Sequence, residues 1–156
     1  MFTHTGPRRG DVFAESSFAK QIAMAENGLT KNKIYVGNLN SLRTISDVRD
    51  AVKAYFMLVT VKPIFGECYN IGGNKSLTIK EILEFLISIS SVKHKLKIVK
   101  DPGRFRPIDA DLQIPDCEKF KSHTRWSPQY SYKETLKDLL NYWRKKIKKN
   151  KNYLVR

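Results

Sequence analysis

The sequence predicts an α/β fold, and three observations carry that reading. Apolar residues recur at helical spacing in four stretches, and short β-like runs lie between them. Three of the helices open on a Ser or Thr with an acid three residues later. At 156 residues, 41% hydrophobic and 28% charged, the chain is long enough for one globular domain with a sizeable core.

The elements follow in order. FTHTGPRRGD, Phe2 to Asp11, reads as the end of a strand running into an anion-binding loop. Ser16 to Asn27 places Phe18, Ala19, Ile22 and Ala23 on one helical face, and Gly28 follows as a stop. KIYVGN, Lys33 to Asn38, reads as a strand. Thr44 with Asp47 has the capping spacing and opens a helix to about Thr60, with Val48, Ala51, Val52, Tyr55 and Val59 turned inward. ECYNIGG, Glu67 to Gly73, reads as a second strand. Thr78 with Glu81 opens a helix carrying Ile79, Ile82, Leu83 and Leu86, and LKIVK, Leu96 to Lys100, is the third strand. Asp101 to Ser127, with its prolines and scattered charges, reads as an ordered loop region. Ser131 with Glu134 opens the last helix, which carries Leu136, Leu139, Leu140 and Trp143.

A strand, a capped helix and another strand predict a parallel crossover unit. Such a strand is buried on both faces and paired on both edges unless it is terminal. ECYNIGG has few candidate neighbours here, so it reads as part of a sheet whose other strands lie elsewhere.

Charge and composition narrow the partners. The net charge of +14 raises nucleic acid as a partner, but seven basic residues sit in RKKIKKNKNYLVR at the C-terminus, half of that excess. A solvated basic helix end explains such a tail, with an RNA or anionic-membrane patch as the alternative. No nucleic-acid fold signature supports the alternative elsewhere, so nucleic acid is not expected as a partner. No apolar run reaches the length of a membrane span and no signal segment opens the chain, so a cytoplasmic protein without a membrane partner is expected. Cys68 and Cys117 are read as free thiols. His94 and His123 lie among basic residues and suggest no metal site.

At FTHTGPRRGD, NLNSLRTISDVRDAVKAY, CYNIGG and FRPIDADL, in that order, the sequence resembles the extended short-chain dehydrogenase/reductase superfamily. Within it the chain is similar to the GDP-mannose 4,6-dehydratases, with the GDP-6-deoxy-mannose 4-reductases as near relatives. The likeness runs from Phe2 to about Ile147 and matches the C-terminal half of such an enzyme. It implies a partial NAD(P)-binding Rossmann-like fold, its last strands and helices plus the C-terminal substrate-binding subdomain, over residues 1–147, then a basic tail, 148–156. It also implies that the opening loop comes first because the family's nucleotide-binding half is absent from this chain.

The resemblance further assigns the residues. No glycine-rich dinucleotide loop is present, and the family's acid/base Tyr and Lys, spaced four apart, are matched only by Tyr142 and Lys146 on the terminal amphipathic helix. No catalytic residue is therefore assigned, and no activity is expected from this chain alone. His4 and Arg9 match the family's NADP contacts in the H-x-[SG]-P-R-R segment. Thr3 stands where the family has an asparagine that helps hold the nucleotide sugar, and a threonine lacks the amide donors. Arg43 resembles the arginine that reaches the nucleotide phosphates. Arg106 and Asp109 resemble the pair that grips the diphosphate and the guanosine ribose, with a local ion pair as the alternative. Asp111 reads as a backbone turn residue. The implied function is the C-terminal part of an enzyme converting GDP-mannose to GDP-4-keto-6-deoxymannose. The sister reductase and a non-catalytic nucleotide-sugar-binding or assembly module are the alternatives. A GDP-sugar and an N-terminal half or homologous subunit are the implied partners.

Overall fold

Three helices supply most of the apolar side chains that must leave water, and they set the main layer. These are α1 (Ala14–Glu26), α3 (Ile79–Ser88) and α5 (Tyr132–Lys149). The structure, a computed structural model, describes residues 1–105 and 112–149. Phe18 and Ile22 of α1 meet Ile82, Leu83 and Leu86 of α3 and Leu136, Leu139, Leu140 and Trp143 of α5 in one core. At roughly 1.5–3 kcal/mol for each large apolar side chain fully buried, this layer is the main driving force for folding. Two of the expected caps form as written. The Thr78 hydroxyl accepts from the Glu81 N–H at 3.1 Å while the Glu81 carboxylate accepts from the Thr78 N–H at 2.7 Å. Ser131 and Glu134 make the same reciprocal pair at the start of α5, which continues through Lys149.

The strands form two small sheets. In the first, β1 (His4–Thr5) pairs in parallel with β3 (Leu42–Asp47), His4 opposite Ser46. The front of β3 pairs antiparallel with β4 (Lys75–Thr78), Arg43 opposite Leu77, and in parallel with the short β6 (Leu112–Gln113). In the second sheet, β2 (Lys33–Val36) and β5 (Lys97–Lys100) run parallel, and β2 turns Ile34 and Val36 into the core. A smaller core joins α2 (Val48–Thr60) to α4 (Glu118–Thr124) through Ala54, Ile71, Phe120 and Trp126.

Several sequence expectations are corrected. Thr44 lies inside β3, its hydroxyl 2.8 Å from that of Ser76, and Asp47 caps α2 by accepting from the Arg49 N–H at 2.8 Å. β3 and β4 were not expected, and their antiparallel pairing interrupts the all-parallel scheme. Among the described residues the expected strand Glu67–Gly73 is not formed: Phe2 N–H donates to the Ile71 carbonyl at 2.9 Å, and Glu67 N–H only closes a turn on the Ile64 carbonyl. A strand needs a ladder of such bonds, and the described backbone beside this segment supplies one rung. Within the expected loop Asp101–Ser127, Glu118–Thr124 is helical because Phe120 and Thr124 fall on one buried face. Finally, α2 keeps only part of its expected inward face. Ala51 and Ala54 are buried, whereas Val52, Tyr55 and Val59 face solvent.

Candidate functional site

The opening loop is held from both ends. Arg9 N–H closes a turn on the Gly6 carbonyl at 3.1 Å, with Arg8 at φ 74°, a left-handed conformation that costs an L-residue roughly 1–2 kcal/mol. The turn leaves Arg8 exposed and directs Arg9 inward. Ser16 then fastens the loop: its hydroxyl donates to the Arg9 carbonyl at 2.7 Å and accepts from the Trp143 indole N–H at 2.9 Å. The loop is thereby tied to the buried face of α5.

Beside this loop lies a cleft of about 650 Å³. Its apolar wall includes Phe18, Ile45, Ile79 and Ile82, and three arginines, Arg9, Arg43 and Arg104, line it from three separate segments. Arg9 stacks its guanidinium 3.2 Å over the Phe13 ring, with its Nε 3.5 Å from Glu15 Oε1. Arg9 Nε and Glu15 Oε1 are both buried and have no hydrogen-bond partner among the described residues, so the charges are compensated while hydrogen-bonding capacity is left over. Arg43 projects from β3 and donates to the Leu42 carbonyl at 2.8 Å. Arg104 ends the short 3₁₀ turn Pro102–Arg104, which Asp101 caps by accepting from the Gly103 N–H. The Arg104 Nε lies 3.1 Å from the Asp101 carboxylate and its NH1 donates to the Ser17 hydroxyl at 3.1 Å. A Cβ placed on Gly37 would fall 2.4 Å from the Arg104 carbonyl oxygen, so only glycine lets this wall close.

The expected site residues divide. Arg9 and Arg43 line the same cleft, although they were assigned to different ligands. His4 is not part of that lining; it sits in β1 with Nδ1 3.3 Å from the Phe2 carbonyl. Thr3 does line the cleft, and its hydroxyl is turned to Gln113 at 3.4 Å. Arg106, Asp109 and Asp111 lie outside the described residues. Tyr142 and Lys146 are on α5, away from the cleft lining, with the lysine nitrogen 5.6 Å from the tyrosine ring centroid. Sequence reading missed Arg104, Ser17 and Phe13. Arg104 had a readable signal, since Asp-Pro-Gly marks a turn that would aim the next side chain.

The other reactive groups serve the structure. His123 bridges the Tyr69 hydroxyl and the Lys62 carbonyl. Cys68 is exposed and free, while Cys117 is buried, and burial pushes its thiol pKa up. Among the described residues no group of three or more His, Cys, Asp or Glu side chains could hold a metal ion. No helix among them is long and apolar enough to cross a membrane.

Comparison with known proteins places the chain in a family. Residues 1–139 match the model of the family described as GDP-mannose 4,6 dehydratase. The GDP-6-deoxy-D-mannose reductase of Pseudomonas aeruginosa is 31% identical over 147 residues, which are 94% of this chain and 47% of that protein. GDP-mannose 4,6 dehydratase 1 of Arabidopsis thaliana is 27% identical over 142 residues, 90% of this chain and 38% of that protein. Among solved structures, RMD from Pseudomonas aeruginosa complexed with NADPH superposes with a TM-score of 0.83 at 30% identity, covering 92% of this chain and 46% of that one. The UDP-glucose 4-epimerase of Thermotoga maritima, solved with UDP-glucose, shares the fold at a TM-score of 0.77 and 23% identity, over 94% of this chain and 45% of that one. The chain thus spans about half the length, or less, of the relatives it matches.

Proposed function

The chain belongs to the GDP-mannose 4,6 dehydratase family and corresponds to the C-terminal half of its members; from that premise we propose that it is the nucleotide-sugar-binding part of an enzyme converting GDP-mannose to GDP-4-keto-6-deoxymannose. The observation that carries this reading is the cleft into which Arg9, Arg43 and Arg104 converge from distant segments. Guanidinium groups are planar, permanently charged forks that match phosphate oxygens two at a time, and the apolar wall beside them suits the flat face of a base. Arg106 and Asp109, outside the described residues, are proposed as the remaining contacts to diphosphate and ribose. The cytoplasm is the proposed compartment, in keeping with two free cysteines.

The proposed cofactor is NADP, the form related to the NADPH bound in the solved Pseudomonas structure. His4 and Arg9 are the groups of this chain proposed to face it. The buried Arg9 Nε, which lacks a hydrogen-bond partner among the described residues, fits an anionic ligand. When bound, the cofactor supplies the hydride acceptor. The chain's own residues bind and orient; among the described residues no Tyr/Lys acid–base pair lines the cleft, and turnover is proposed to require the family's N-terminal half. The sister reductase is the second reading, favoured by 31% identity to the Pseudomonas reductase. Both readings share this cleft, whereas an assembly module without a ligand would not need it.

Calorimetric titration with GDP-mannose tests the proposal. The parent chain should bind, and Arg43→Ala should weaken binding roughly 10–100-fold, the loss expected for one charge-assisted contact of about 1.5–3 kcal/mol. No binding by the parent, or equal affinity in the variant, would remove the assignment.

A further inference from the structure

Glu15 supplies the only carboxylate among the described residues that line the cleft. It stands in the first turn of α1, with its side chain 7% exposed. Two features accommodate its charge: the Arg9 Nε at 3.5 Å and the positive end of the α1 dipole. Neither gives it a hydrogen bond. Oε1 has no hydrogen-bond partner among the described residues, although it is shut off from water. A carboxylate oxygen taken out of water and given no donor is destabilising. At the wall of a cleft, it leaves the donor's place to a ligand.

The surroundings say what kind of donor fits. Glu15 and Phe18 are three residues apart on α1 and so lie side by side on one face of the helix. Phe18, with Ile79 and Ile82, belongs to the apolar wall of the same cleft. A flat ring laid on that wall turns its edge toward Glu15, while phosphates joined to the ring can reach Arg43 and Arg104. An ionised carboxylate only accepts hydrogen bonds, so it asks for an edge that carries donors. Guanine offers N1–H and the N2 amine next to each other. Adenine and cytosine set one amine beside a ring-nitrogen acceptor, and uracil sets N3–H between two carbonyl oxygens. Only the guanine edge meets a carboxylate without opposing lone pairs. The fold alone does not choose the base, since the Thermotoga maritima structure that shares it was solved with UDP-glucose.

Resting on the nucleotide-sugar reading above, we propose that Glu15 is the base-reading residue of the cleft: its carboxylate accepts from the N1–H and N2 amine edge of guanine and so selects guanine nucleotides over the others. Arg9 keeps the carboxylate ionised beside the apolar wall, and the turn of α1 that carries Glu15 fixes its distance from Phe18.

The test is calorimetric titration of the full chain, as parent, Glu15→Gln and Glu15→Asp, with GDP, IDP, ADP and GDP-mannose. IDP differs from GDP only in lacking the N2 amine. The parent should bind GDP about tenfold or more tightly than IDP, the loss of one charge-assisted bond, and more tightly still than ADP. Glu15→Gln keeps the shape but replaces one acceptor oxygen with a donor, and it should bring GDP and IDP within about threefold of each other. Glu15→Asp keeps the charge and withdraws it by one methylene. It should narrow the ratio in the same way, and it decides the matter if the glutamine variant does not fold. A parent that treats GDP and IDP alike overturns the proposal, and so does a ratio that the variants leave unchanged. Equal weakening of GDP, IDP and ADP would show that Glu15 only holds Arg9 in place, which also overturns it. A loss seen with GDP-mannose but not with GDP would assign the carboxylate to a hexose hydroxyl instead of the base. The functional proposal fails separately. Binding that depends on Arg43 but ignores Glu15 defeats this inference alone, whereas GDP binding that depends on Glu15 and ignores Arg43→Ala defeats the functional proposal alone. A parent that binds none of the four ligands removes both.

Discussion

Replacing Asp47 by alanine should destabilise the chain by about 2–4 kcal/mol, and the structure shows where that comes from. The Asp47 side chain is fully buried and ties three elements together. One oxygen accepts from the Arg49 N–H and Nε, each at 2.8 Å. The other accepts from Arg49 NH2 at 2.8 Å and from the Thr135 hydroxyl of α5 at 2.7 Å. Loss of the cap costs about 1 kcal/mol. Loss of the acceptor for a buried hydroxyl adds about 1–2 kcal/mol, limited because Thr135 can still donate to the Ser131 carbonyl. Arg49 adds less. Its side chain is 39% exposed, keeps Asp138 at 2.9 Å and stacks over Tyr130, so solvent and a second carboxylate take up much of its charge.

At about 2–4 °C per kcal/mol for a chain of this size, the melting temperature should fall by roughly 4–16 °C. Asp47→Asn keeps an oxygen for the cap and should cost about half as much. The pH dependence has a definite sign. Burial alone would push the Asp47 carboxyl up, but hydrogen bonds from the Arg49 side chain and backbone and from Thr135 outweigh it and hold the pKa below the usual value. A depressed folded pKa gives stability that is complete above the unfolded value, about 4, and lost as pH falls through the folded one. The gap between parent and Asp47→Ala should therefore be full at neutral pH and narrow below about pH 4. Circular dichroism melts across that range decide. A variant within about 0.5 kcal/mol of the parent at pH 7, or a gap that widens in acid, would refute the reasoning.

Two further outcomes are expected. In Gly73→Ala the new Cβ would fall 1.7 Å from the Ile45 carbonyl oxygen, so β3 or the 69–73 segment must move; urea unfolding should show a loss of about 3 kcal/mol or more. Glu26 accepts from Arg144 Nε and NH2, both at 2.7 Å, and from Ser90 and Ser91, and these bonds hold its carboxyl low against the opposing effect of burial. Glu26→Gln should cost about 1–3 kcal/mol at pH 7 in the same assay, and the difference should shrink as pH falls through the carboxylate range.

Helices were legible where one apolar stripe met an unambiguous cap. Thr78 with Glu81 and Ser131 with Glu134 placed α3 and α5 within a residue or so, because cap and apolar stripe agree there. The α2 segment was legible as a helix but not in its orientation. Apolar residues occur on nearly every side of VRDAVKAYFMLVT, so periodicity has no single phase to report. β3 escaped notice because LRTISD carries buried Thr44, Ser46 and Asp47 rather than alternating apolar residues; Thr44 bonds Ser76 within the sheet and Asp47 accepts from Thr135 of α5. The cleft was half legible. Arg9 and Arg43 were assigned through the resemblance of their motifs, although the strand that carries Arg43 was not expected, whereas the approach of Arg104 to Ser17 spans 87 positions and exists only after folding.

What holds α2 in place explains how it can keep so much apolar surface outside. Its fully buried core contacts are small, Ala51 and Ala54, which remove little area from water. The stronger ties are polar and lie at its first turn. Asp47 reaches Thr135 of α5, and Asp50 accepts from the N–H groups of Gln129 and Tyr130 at 3.1 Å. These bonds fix the start of α2 against the main helical layer whether or not its outer stripe is covered. A helix positioned by large apolar side chains would have spent Val52, Phe56 and Val59 on its own core. Positioned by two buried carboxylates instead, it holds them at its surface in an orientation fixed by Asp47 and Asp50.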